Sequence, residues 1–428
     1  MYRITMETID YLDAEEEDGE EGNNLVYETF VTKYMKQNRP VIINNYIQHH
    51  WKCFETFRNG EGNINIEYLL QKFKDIKQVP VVQSSSSYDN NTTNMTFREF
   101  IKLIKSSSFN TETNNNQKDD KKNNSFYYYY LKDWHYCIEC KKNNITCEYN
   151  TPIYFENDWL NEWWNKKGRA NISSTIINEE EKKKKNTTRT TTKTIEEEES
   201  QSDYKFLYLG LKNSYTPLHH DIFLSYSWSG QIQGRKKWYL YPPNQTKHLI
   251  DIHGTVARTG IWNDLSKDEQ IKYPGIQTNV HPIIIIQYPN QLIFIPSGWY
   301  HEVYNIDETS LSINHNWFNQ YNLPMVWNHL KNEWKDTIKA ICDLKDIMDP
   351  ISFQNECLKL MNRNTGINIV EFQQMLSWKI NKQQVKVEEE VGEEADNSKS
   401  NFTSTTLNVN EIEVVENIIT EIYELLLL

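Results

Sequence analysis

Between residues 204 and 317 the chain alternates short apolar segments with turn residues, a pattern typical of many short antiparallel strands. Proline-containing steps separate the segments, as at Pro242-Pro243 and Pro296-Ser297-Gly298. This spacing predicts an antiparallel sandwich or jelly-roll barrel. The predicted strands are Tyr204–Leu209, Leu218–Phe223, Lys236–Tyr241, Ile283–Gln287, Gln291–Ile295, Glu302–Tyr304 and Leu311–Asn314.

The regions on either side of this β-rich part have mostly helical patterns. Thr96 and Glu99 can satisfy each other's backbone groups in a capping box, which predicts a helix that runs through Ile104. After Pro324 the apolar positions recur at helical spacing to about Leu376. Further predicted elements are a helix over Val26–Gln37, a strand over Val41–Asn44, a strand over Phe126–Leu131 and a helix over Asp158–Trp164.

Polar, low-complexity segments interrupt these patterns and cannot bury apolar surface. Residues 105–125, residues 177–202 and the shorter Ser84–Thr93 are predicted to be surface loop insertions within one folded unit. The predicted fold class is mainly β with α flanks. Its predicted parts are a disordered acidic N-terminus (1–25), a mixed N-terminal part (26–170), a low-complexity insert (171–203), the barrel (204–320), C-terminal helices (321–385), an acidic linker (386–410) and an amphipathic terminal helix (411–428) that could dock on its own chain or bind a partner.

Composition limits the class of protein. The 428 residues include 13 Trp and 26 Tyr, which excludes wholesale disorder. The net charge of −13 argues against a protein dominated by nucleic-acid binding. Residues 1–22 carry a net charge of −8 and residues 386–428 carry −9, so the part between them is mildly basic at +4. The acidic ends also account for part of the low mean hydropathy of −0.75.

Targeting and redox features point to the cytosol. We find no basic and apolar leader at the N-terminus and no apolar run long enough to span a membrane. The six cysteines are expected to be reduced thiols, which places the protein in the cytoplasm, with the nucleus as an alternative. His135, Cys137, Cys140 and Cys147 leave open a structural zinc site, although a second Cys-x-x-Cys pair is missing from the sequence.

A His-x-Asp step supplies the strongest metal-binding pattern. In a strand, residues two apart share a face, so His219 and Asp221 would both point into a barrel while His220 points away. His301, which follows a Pro-Ser-Gly turn at the start of a predicted strand, is the best third ligand. Two histidines and one carboxylate form the facial triad of non-haem Fe(II) oxygenases. The remaining histidines, and the rival pair Asp251 and His253, leave other ligand sets open.

The basic strand around Lys236 suggests an anion site. By alternation Lys236 shares a face with Trp238 and Leu240, and two apolar neighbours mark that face as the inner one. A buried cation needs an anionic partner, which a dicarboxylate co-substrate would supply. The competing interpretation is a solvated run of charges, which fits poorly with the apolar neighbours.

These motifs resemble the JmjC family of Fe(II)- and 2-oxoglutarate-dependent oxygenases. The similarity extends to several separated segments in the same order, and it covers about residues 27–380 apart from the inserts. Within the family the chain resembles the jumonji-domain-containing protein 4 subgroup. The segments that carry the resemblance are TPLHHDIFLSYSWSGQIQGRKKWYLYPP, FIPSGWYHEVYNIDETSLSINHNW, YYLKDWH and DWLNEWW.

The resemblance implies a double-stranded β-helix with flanking helices and a defined set of site residues. It implies that Fe(II) is held by three side chains and that O₂ and 2-oxoglutarate are co-substrates. The distal carboxylate of 2-oxoglutarate would pair with Lys236 and Thr216, and two further residues would line the same pocket, Tyr130 and Asn316. The implied metal ligands and catalytic centre are His219, Asp221 and His301.

The resemblance also implies a reaction and a partner. The carboxylate ligand is often Glu in histone demethylases and Asp in the hydroxylase branch, so Asp221 favours hydroxylation. The subgroup is similar to a lysyl hydroxylase that modifies the translation-termination release factor at carbon 4 of a lysine, so the expected partner is that protein substrate, with no membrane or nucleic acid. The alternatives are an N-methyl-lysine demethylase and a non-catalytic cupin-type binding protein.

Overall fold

The computed structural model describes residues 9–14, 27–84, 90–113, 128–166, 203–258, 260, 265–393 and 407–427. These residues divide into two compact units. The first contains the described parts of 1–156, 164–221 and 226–316, and the second contains 157–163, 222–225 and the described parts of 317–428. We predicted one unit with helical flanks; the C-terminal helices instead form a separate unit together with residues 157–163 and 222–225.

The first unit is built on two β-sheets. The larger sheet has the strand order β1-β2-β11-β8-β13-β6-β5-β3-β4, and the smaller has the order β10-β9-β12-β7. The strands are β1 (Asp10–Asp13), β2 (Val41–Asn44), β3 (Val79–Ser84), β4 (Asn90–Met95), β5 (Tyr128–Trp134), β6 (Lys205–Leu211), β7 (Tyr215–His219), β8 (Tyr226–Gln233), β9 (Lys236–Tyr241), β10 (Ile283–Gln287), β11 (Leu292–Ile295), β12 (Tyr300–Asn305) and β13 (Thr309–Trp317).

A shared apolar core joins the two sheets into the predicted jelly roll. Ile42 and Ile293 come from the large sheet, and Trp238, Leu240 and Ile285 come from the small one; all five are buried in the same cluster. Alternation explains this arrangement, because inward-facing residues two apart on each strand meet across the space between the sheets. The core packs behind a polar cavity that lies between the same two sheets.

Short helices flank the sheets of the first unit. Asn65 caps one of them by accepting a hydrogen bond from the backbone N–H of Tyr68, and the predicted capping box of Thr96 and Glu99 is present. The helices are α1 (Ile47–His50), α2 (Cys53–Thr56), α3 (Ile66–Lys72), α4 (Phe97–Thr113), α5 (Tyr136–Lys142), α6 (Lys267–Lys272) and α7 (Ile276–Asn279), with 3-10 turns at Ile153–Phe155 and Pro243–His248 and a π-helical turn at Val31–Met35.

The second unit is helical. It contains α8 (Leu323–Ala340), α9 (Pro350–Thr365), α10 (Ile369–Glu393) and α11 (Val409–Leu427). The terminal helix docks on its own chain, because Glu421 of α11 accepts hydrogen bonds from Trp327 and Lys331 of α8, each at 2.9 Å. Residues 159–166 are also helical, as predicted for DWLNEWW. Among the described helices, none is long and apolar enough to cross a membrane.

Several predicted boundaries were wrong. The acidic N-terminus was predicted to be disordered, but Asp10–Asp13 forms β1, which pairs in parallel with β2 through its backbone and gains an ion pair between Asp10 and Arg39. The predicted linker 386–410 is helical as far as Glu393, and residues 394–406 lie outside the described part. Acidic residues did not prevent either element, because backbone hydrogen bonds are independent of side-chain charge.

Parts of the polar segments that were predicted to be surface loops form regular secondary structure instead. The segment Ser84–Thr93 was predicted to be a loop, but its described residues belong to the hairpin of β3 and β4. Asn91 to Asn94 are exposed, so this hairpin lacks the apolar alternation that identifies a half-buried strand. The helix predicted to end at Ile104 continues to Thr113 and takes up the first part of the predicted loop 105–125. The insert at 171–203 lies outside the described residues except for Asp203.

Candidate active site

The His-x-Asp step is placed differently from the prediction. We predicted one strand over Leu218–Phe223, but β7 ends at His219 and Asp221 lies in the turn that follows. Strand alternation therefore does not bring the two side chains together. Two hydrogen bonds orient the carboxylate instead: Ser227 Oγ donates to Asp221 Oδ2 at 2.7 Å, and Asn316 Nδ2 donates to Asp221 Oδ1 at 2.7 Å.

His301 lies opposite His219 on the neighbouring strand. The two residues are direct register partners in the antiparallel pair β7–β12, and their ring centroids are 4.2 Å apart. Gly298, at φ 72°, makes the turn that leads from β11 into β12. The sequence predicted this turn and the position of His301 at the start of the strand, and both are present.

Backbone carbonyls orient both imidazole rings. His219 Nδ1 is 2.7 Å from the carbonyl oxygen of Pro217, and His301 Nδ1 is 3.1 Å from that of Trp299. A proton on each Nδ1 leaves each Nε2 with a lone pair, as a metal ligand requires. His301 Nε2 lies 3.9 Å from Asp221 Oδ2. The carbonyl contacts thus orient both imidazoles, and the hydrogen bonds from Ser227 and Asn316 hold the carboxylate beside them.

The electrostatics of the triad suit a cation. Burial, followed by the charge of His301, lowers the pKa of His219 to about 3, so this ring is neutral at physiological pH. Burial raises the pKa of Asp221, but the two histidines and the hydrogen bonds from Ser227 and Asn316 outweigh it, and the net pKa lies below the ordinary value. A neutral imidazole and an ionised carboxylate are the forms that bind a metal.

The donor set fits Fe(II). One ligand atom from each of His219, Asp221 and His301 lies within 4.8 Å of the other two. Two nitrogens and one oxygen arranged in this way match the facial triad that leaves positions open for co-substrates. Within the described residues this is the only group of three or more His, Cys, Asp or Glu with such geometry. The rival Asp251 instead accepts backbone hydrogen bonds in its own loop, including one from His253.

Lys236 lies in the same cavity as the triad and is buried, as alternation predicted, with 2% of its surface exposed. Its Nζ donates to Ser312 Oγ at 2.6 Å, and no carboxylate of the described residues forms an ion pair with it. Burial, assisted by the charge of Lys132, lowers the pKa of Lys236 to about 7. The cavity therefore holds a buried amine without an anionic partner.

All seven predicted site residues line one cavity. Tyr130 and Thr216 are hydrogen-bonded to each other, and Asn316 donates a hydrogen bond to Asp221. The complete lining comprises Tyr130, Tyr208, Thr216, His219, Asp221, Ser227, Trp228, Ser229, Lys236, Trp238, His301, Val303, Asn314, His315 and Asn316.

The sequence reasoning missed polar residues of the cavity, among them Tyr208, Ser227 and Asn314, and it also missed Ser312, which is hydrogen-bonded to Lys236. Ser227 fixes the carboxylate of Asp221, Ser312 accepts the hydrogen bond of Lys236, and Asn314 accepts hydrogen bonds from Ser312 and Ser229 at 2.8 and 3.1 Å. The alternation of Ser310, Ser312, Asn314 and Asn316 along β13 was a usable signal, because polar residues at every second position mark a polar face.

The cysteines do not form a metal centre within the described residues. Cys137 lies 3.7 Å from Cys147 and contacts the hydroxyl of Tyr149, while His135 is hydrogen-bonded to Asp203. All six cysteines are free thiols. The zinc alternative therefore receives no support from the geometry.

Comparison with known proteins identifies the family. A family model described as a cupin-like domain matches residues 27–323. The 2-oxoglutarate and iron-dependent oxygenase JMJD4 of Danio rerio is 35% identical over 352 residues, which is 82% of this chain and 71% of the relative. The protein of the same name from Mus musculus is 32% identical over 359 residues, covering 83% and 72%. The arginine-specific demethylase JMJ20 of Arabidopsis thaliana is 32% identical over 352 residues, covering 82% and 67%.

Three observations indicate the same class of protein: the family model that matches the barrel, the geometry of the triad and the names of the relatives. A jelly roll that gathers two histidines and a carboxylate in one cavity is the architecture of iron-dependent oxygenases that use 2-oxoglutarate. The chain belongs to the cupin-like domain family and, within it, to the JMJD4 family of 2-oxoglutarate and iron-dependent oxygenases.

Proposed function

We propose that this oxygenase is a protein hydroxylase that acts on a lysine side chain of the translation-termination release factor in the cytoplasm. The observation that carries the oxygenase chemistry is a single cavity containing the triad of His219, Asp221 and His301 together with the buried Lys236. The choice of lysine and of release factor comes from the resemblance of the sequence to the subgroup. Asp221, rather than Glu, supports hydroxylation.

In this proposal the triad holds Fe(II), and Lys236 and Thr216 hold the distal carboxylate of 2-oxoglutarate. Together with O₂, bound iron and 2-oxoglutarate would supply the oxidising chemistry: one oxygen atom enters succinate as 2-oxoglutarate loses CO₂, and the other is inserted into a C–H bond of the substrate. Lys236 gains a counter-ion when the carboxylate binds, which removes the cost of a buried unpaired charge. Ser312 fixes the position of its ammonium.

The other residues of the cavity have positioning tasks. Asn316 and Ser227 keep the carboxylate of Asp221 in place, and carbonyl contacts keep both imidazoles in place. Trp238 and Val303 form an apolar wall that excludes water. The protein needs no general base in this scheme, because its task is to orient a C–H bond near the metal and to keep the site dry.

Mass spectrometry of lysine peptides tests the reaction and the substrate together. Release-factor peptides are incubated with enzyme, Fe(II), ascorbate and 2-oxoglutarate, and a lysine-to-arginine peptide is the matched control. We expect a mass gain of one oxygen on the lysine peptide and none on the control. Succinate formation without any oxygen on these peptides would contradict the substrate assignment and retain the oxygenase assignment.

N-methyl demethylation is the second candidate function. One relative that is 32% identical carries the name arginine-specific demethylase, and this name is the observation that favours the second candidate. The two reactions share their cofactors and differ in product: a demethylase releases formaldehyde, whereas a hydroxylase leaves the oxygen on the peptide. Formaldehyde from methylated peptides, with no oxygen gain on unmethylated ones, would favour this alternative. The non-catalytic alternative is not supported, since the chain belongs to an oxygenase family.

A further inference from the structure

Tyr208 of β6 faces the ammonium group of Lys236. Its ring centroid lies 5.4 Å from Lys236 Nζ, within the range of a cation–π contact. Tyr208 is also the register partner of Ser312, whose hydroxyl accepts the hydrogen bond of Lys236. The amine therefore has one polar and one aromatic neighbour on adjacent strands, and the aromatic one lines the cavity.

A bulge in the neighbouring strand holds the Tyr208 ring. The pairing of β5 with β6 shifts register between Leu131 and Trp134, and Asp133 within this bulge has φ 57°, in the left-handed region. Bulges re-aim side chains and often lie near active sites. Here the bulge brings Asp133 Oδ1 to 2.6 Å from the Tyr208 hydroxyl, which donates to it.

Lys132 adds a charged side chain to the group formed by Lys236, Tyr208 and Asp133. Lys132 Nζ lies 3.7 Å from Asp133 Oδ2. Burial, followed by the charge of Asp133, raises the pKa of Tyr208, so the phenol keeps its proton and remains a hydrogen-bond donor. The two oxygens of Asp133 thus face different partners, and the one that accepts from Tyr208 holds the hydroxyl end of the side chain in place.

We propose that Tyr208, held by Asp133, is a positioning residue that orients Lys236 to bind the distal carboxylate of 2-oxoglutarate. The inference rests on the proposed function of Lys236. Without the ring and its tether, the ammonium would be free to adopt other rotamers, and binding would have to order it again. Removing the ring or its tether should therefore lower the affinity for 2-oxoglutarate and leave the rate of the oxidation step unchanged.

The test measures the dissociation constant of 2-oxoglutarate by calorimetry, with Mn(II) in place of Fe(II) so that no turnover occurs. Tyr208→Phe removes the hydrogen bond to Asp133 and should weaken binding about 3- to 10-fold. Tyr208→Leu also removes the ring and should weaken binding by about 10-fold or more. With Fe(II), KM for 2-oxoglutarate should rise in parallel while kcat at saturation stays within about twofold.

A double-mutant cycle separates positioning from a general structural effect. In a Lys236→Met background, Tyr208→Phe should change the dissociation constant no further, because Tyr208 acts through Lys236. The matched control is Tyr239→Phe, since Tyr239 and Lys237 form a similar pair on the other face of β9, with 4.8 Å between ring centroid and ammonium. This control should leave affinity unchanged.

The outcomes distinguish the two assignments. Unchanged affinity in Lys236→Met would contradict the proposed role of Lys236, and the positioning role with it. Weakened affinity in Lys236→Met, with unchanged affinity in Tyr208→Phe and Tyr208→Leu, would overturn the positioning role alone. An additive effect of Tyr208→Phe in the Lys236→Met background would also overturn it.

Discussion

At the scale of single residues, the carboxylate of Asp221 depends on neighbours that are distant in sequence. Each of its oxygens accepts one hydrogen bond, from Ser227 and from Asn316. Partners of this kind fix the direction of a ligand and its charge. The assignment of Asp221 as a metal ligand therefore makes a prediction about residues that would not touch the metal.

Asn316→Ala should weaken metal binding while leaving the triad in place. We expect the affinity for Mn(II), measured by calorimetry, to fall about 10-fold, because Asp221 loses one of its two orienting bonds. Ser227→Ala should have a similar effect. The control is Asn143→Ala, which alters an exposed asparagine at the end of α5. Unchanged metal affinity in both cavity variants would show that these bonds do not support the ligand.

The lowered pKa of Lys236 predicts that co-substrate binding depends on pH. Its pKa of about 7 means that the amine is mostly neutral above that pH in the free protein. The carboxylate needs the charged form, so binding at higher pH must take up a proton. In Mn(II)-loaded protein the dissociation constant of 2-oxoglutarate should be nearly flat below pH 7 and rise by up to about 10-fold per pH unit above it. The slope should disappear in Lys236→Met; a slope that persists would assign it to another group.

The predictability of the site differs from residue to residue. Lys236 was predictable because alternation next to Trp238 and Leu240 marks its face locally. Asp221 lies beside the two histidines as predicted, but the physical reason given for this does not hold, since a turn rather than a strand carries Asp221. Tyr208 was missed because its importance depends on a bulge in another strand, and pairing register cannot be read from a single segment.

At the scale of secondary-structure elements, the turn from β8 to β9 places Lys236. Gly234 adopts φ 70°, and a Cβ there would meet the carbonyl oxygen of Thr309 at 2.1 Å. The following Arg235 forms two-pronged hydrogen bonds with Asp307. The turn is therefore fixed on both sides by the segment that precedes β13 and by its first residue.

Gly234→Ala should destabilise the fold. Both the left-handed conformation and the backbone clash oppose a side chain, so we expect the free energy of unfolding to fall by about 2–3 kcal/mol or more. The matched control is Gly60→Ala, because a Cβ at Gly60 meets nothing within 4 Å. Urea denaturation of both variants checks this, and equal midpoints would contradict the account of the turn.

The elements differ in how far the sequence reveals them. The apolar strands β2, β9, β10 and β11 were predicted nearly within their bounds, because continuous or alternating apolar residues mark them. The strand β8 was missed: its sequence YSWSGQIQ is small and polar, although almost all of it is buried. The side-chain amide of Gln231, for example, donates to the carbonyl oxygens of Gln233 and Gly234 and to Ser310 Oγ. A buried polar strand of this kind has no apolar pattern by which the sequence would reveal it.

At the scale of the whole molecule, charge and hydropathy are distributed unevenly. The net charge of −13 combines acidic ends with a mildly basic centre. A mildly basic centre suits a doubly anionic co-substrate, which the net charge of the whole chain does not reveal. The low mean hydropathy of −0.75 is carried largely by the ends and polar insertions, whereas the β-rich part has an apolar core.

Deleting residues 177–202 should leave the fold and the oxygenase chemistry intact. Their composition cannot bury apolar surface, so the midpoint of thermal unfolding should change by only about 2 °C. Differential scanning calorimetry and succinate formation check this, with a Gly/Ser segment of equal length as the control. A large loss of stability in the deletion but not in the replacement would mean that the length of the connection matters; a loss in both would contradict its assignment as a surface insertion.

The central claim is that His219, Asp221 and His301 form the metal centre of an oxygenase. Succinate formation from 2-oxoglutarate, with Fe(II) and ascorbate, tests it most directly in Asp221→Ala. The control is His220→Ala, because His220 does not line the cavity. We expect Asp221→Ala to lose about 100-fold or more of the wild-type rate and His220→Ala to retain most of it. Undiminished succinate formation in folded Asp221→Ala would contradict the assignment of the metal centre.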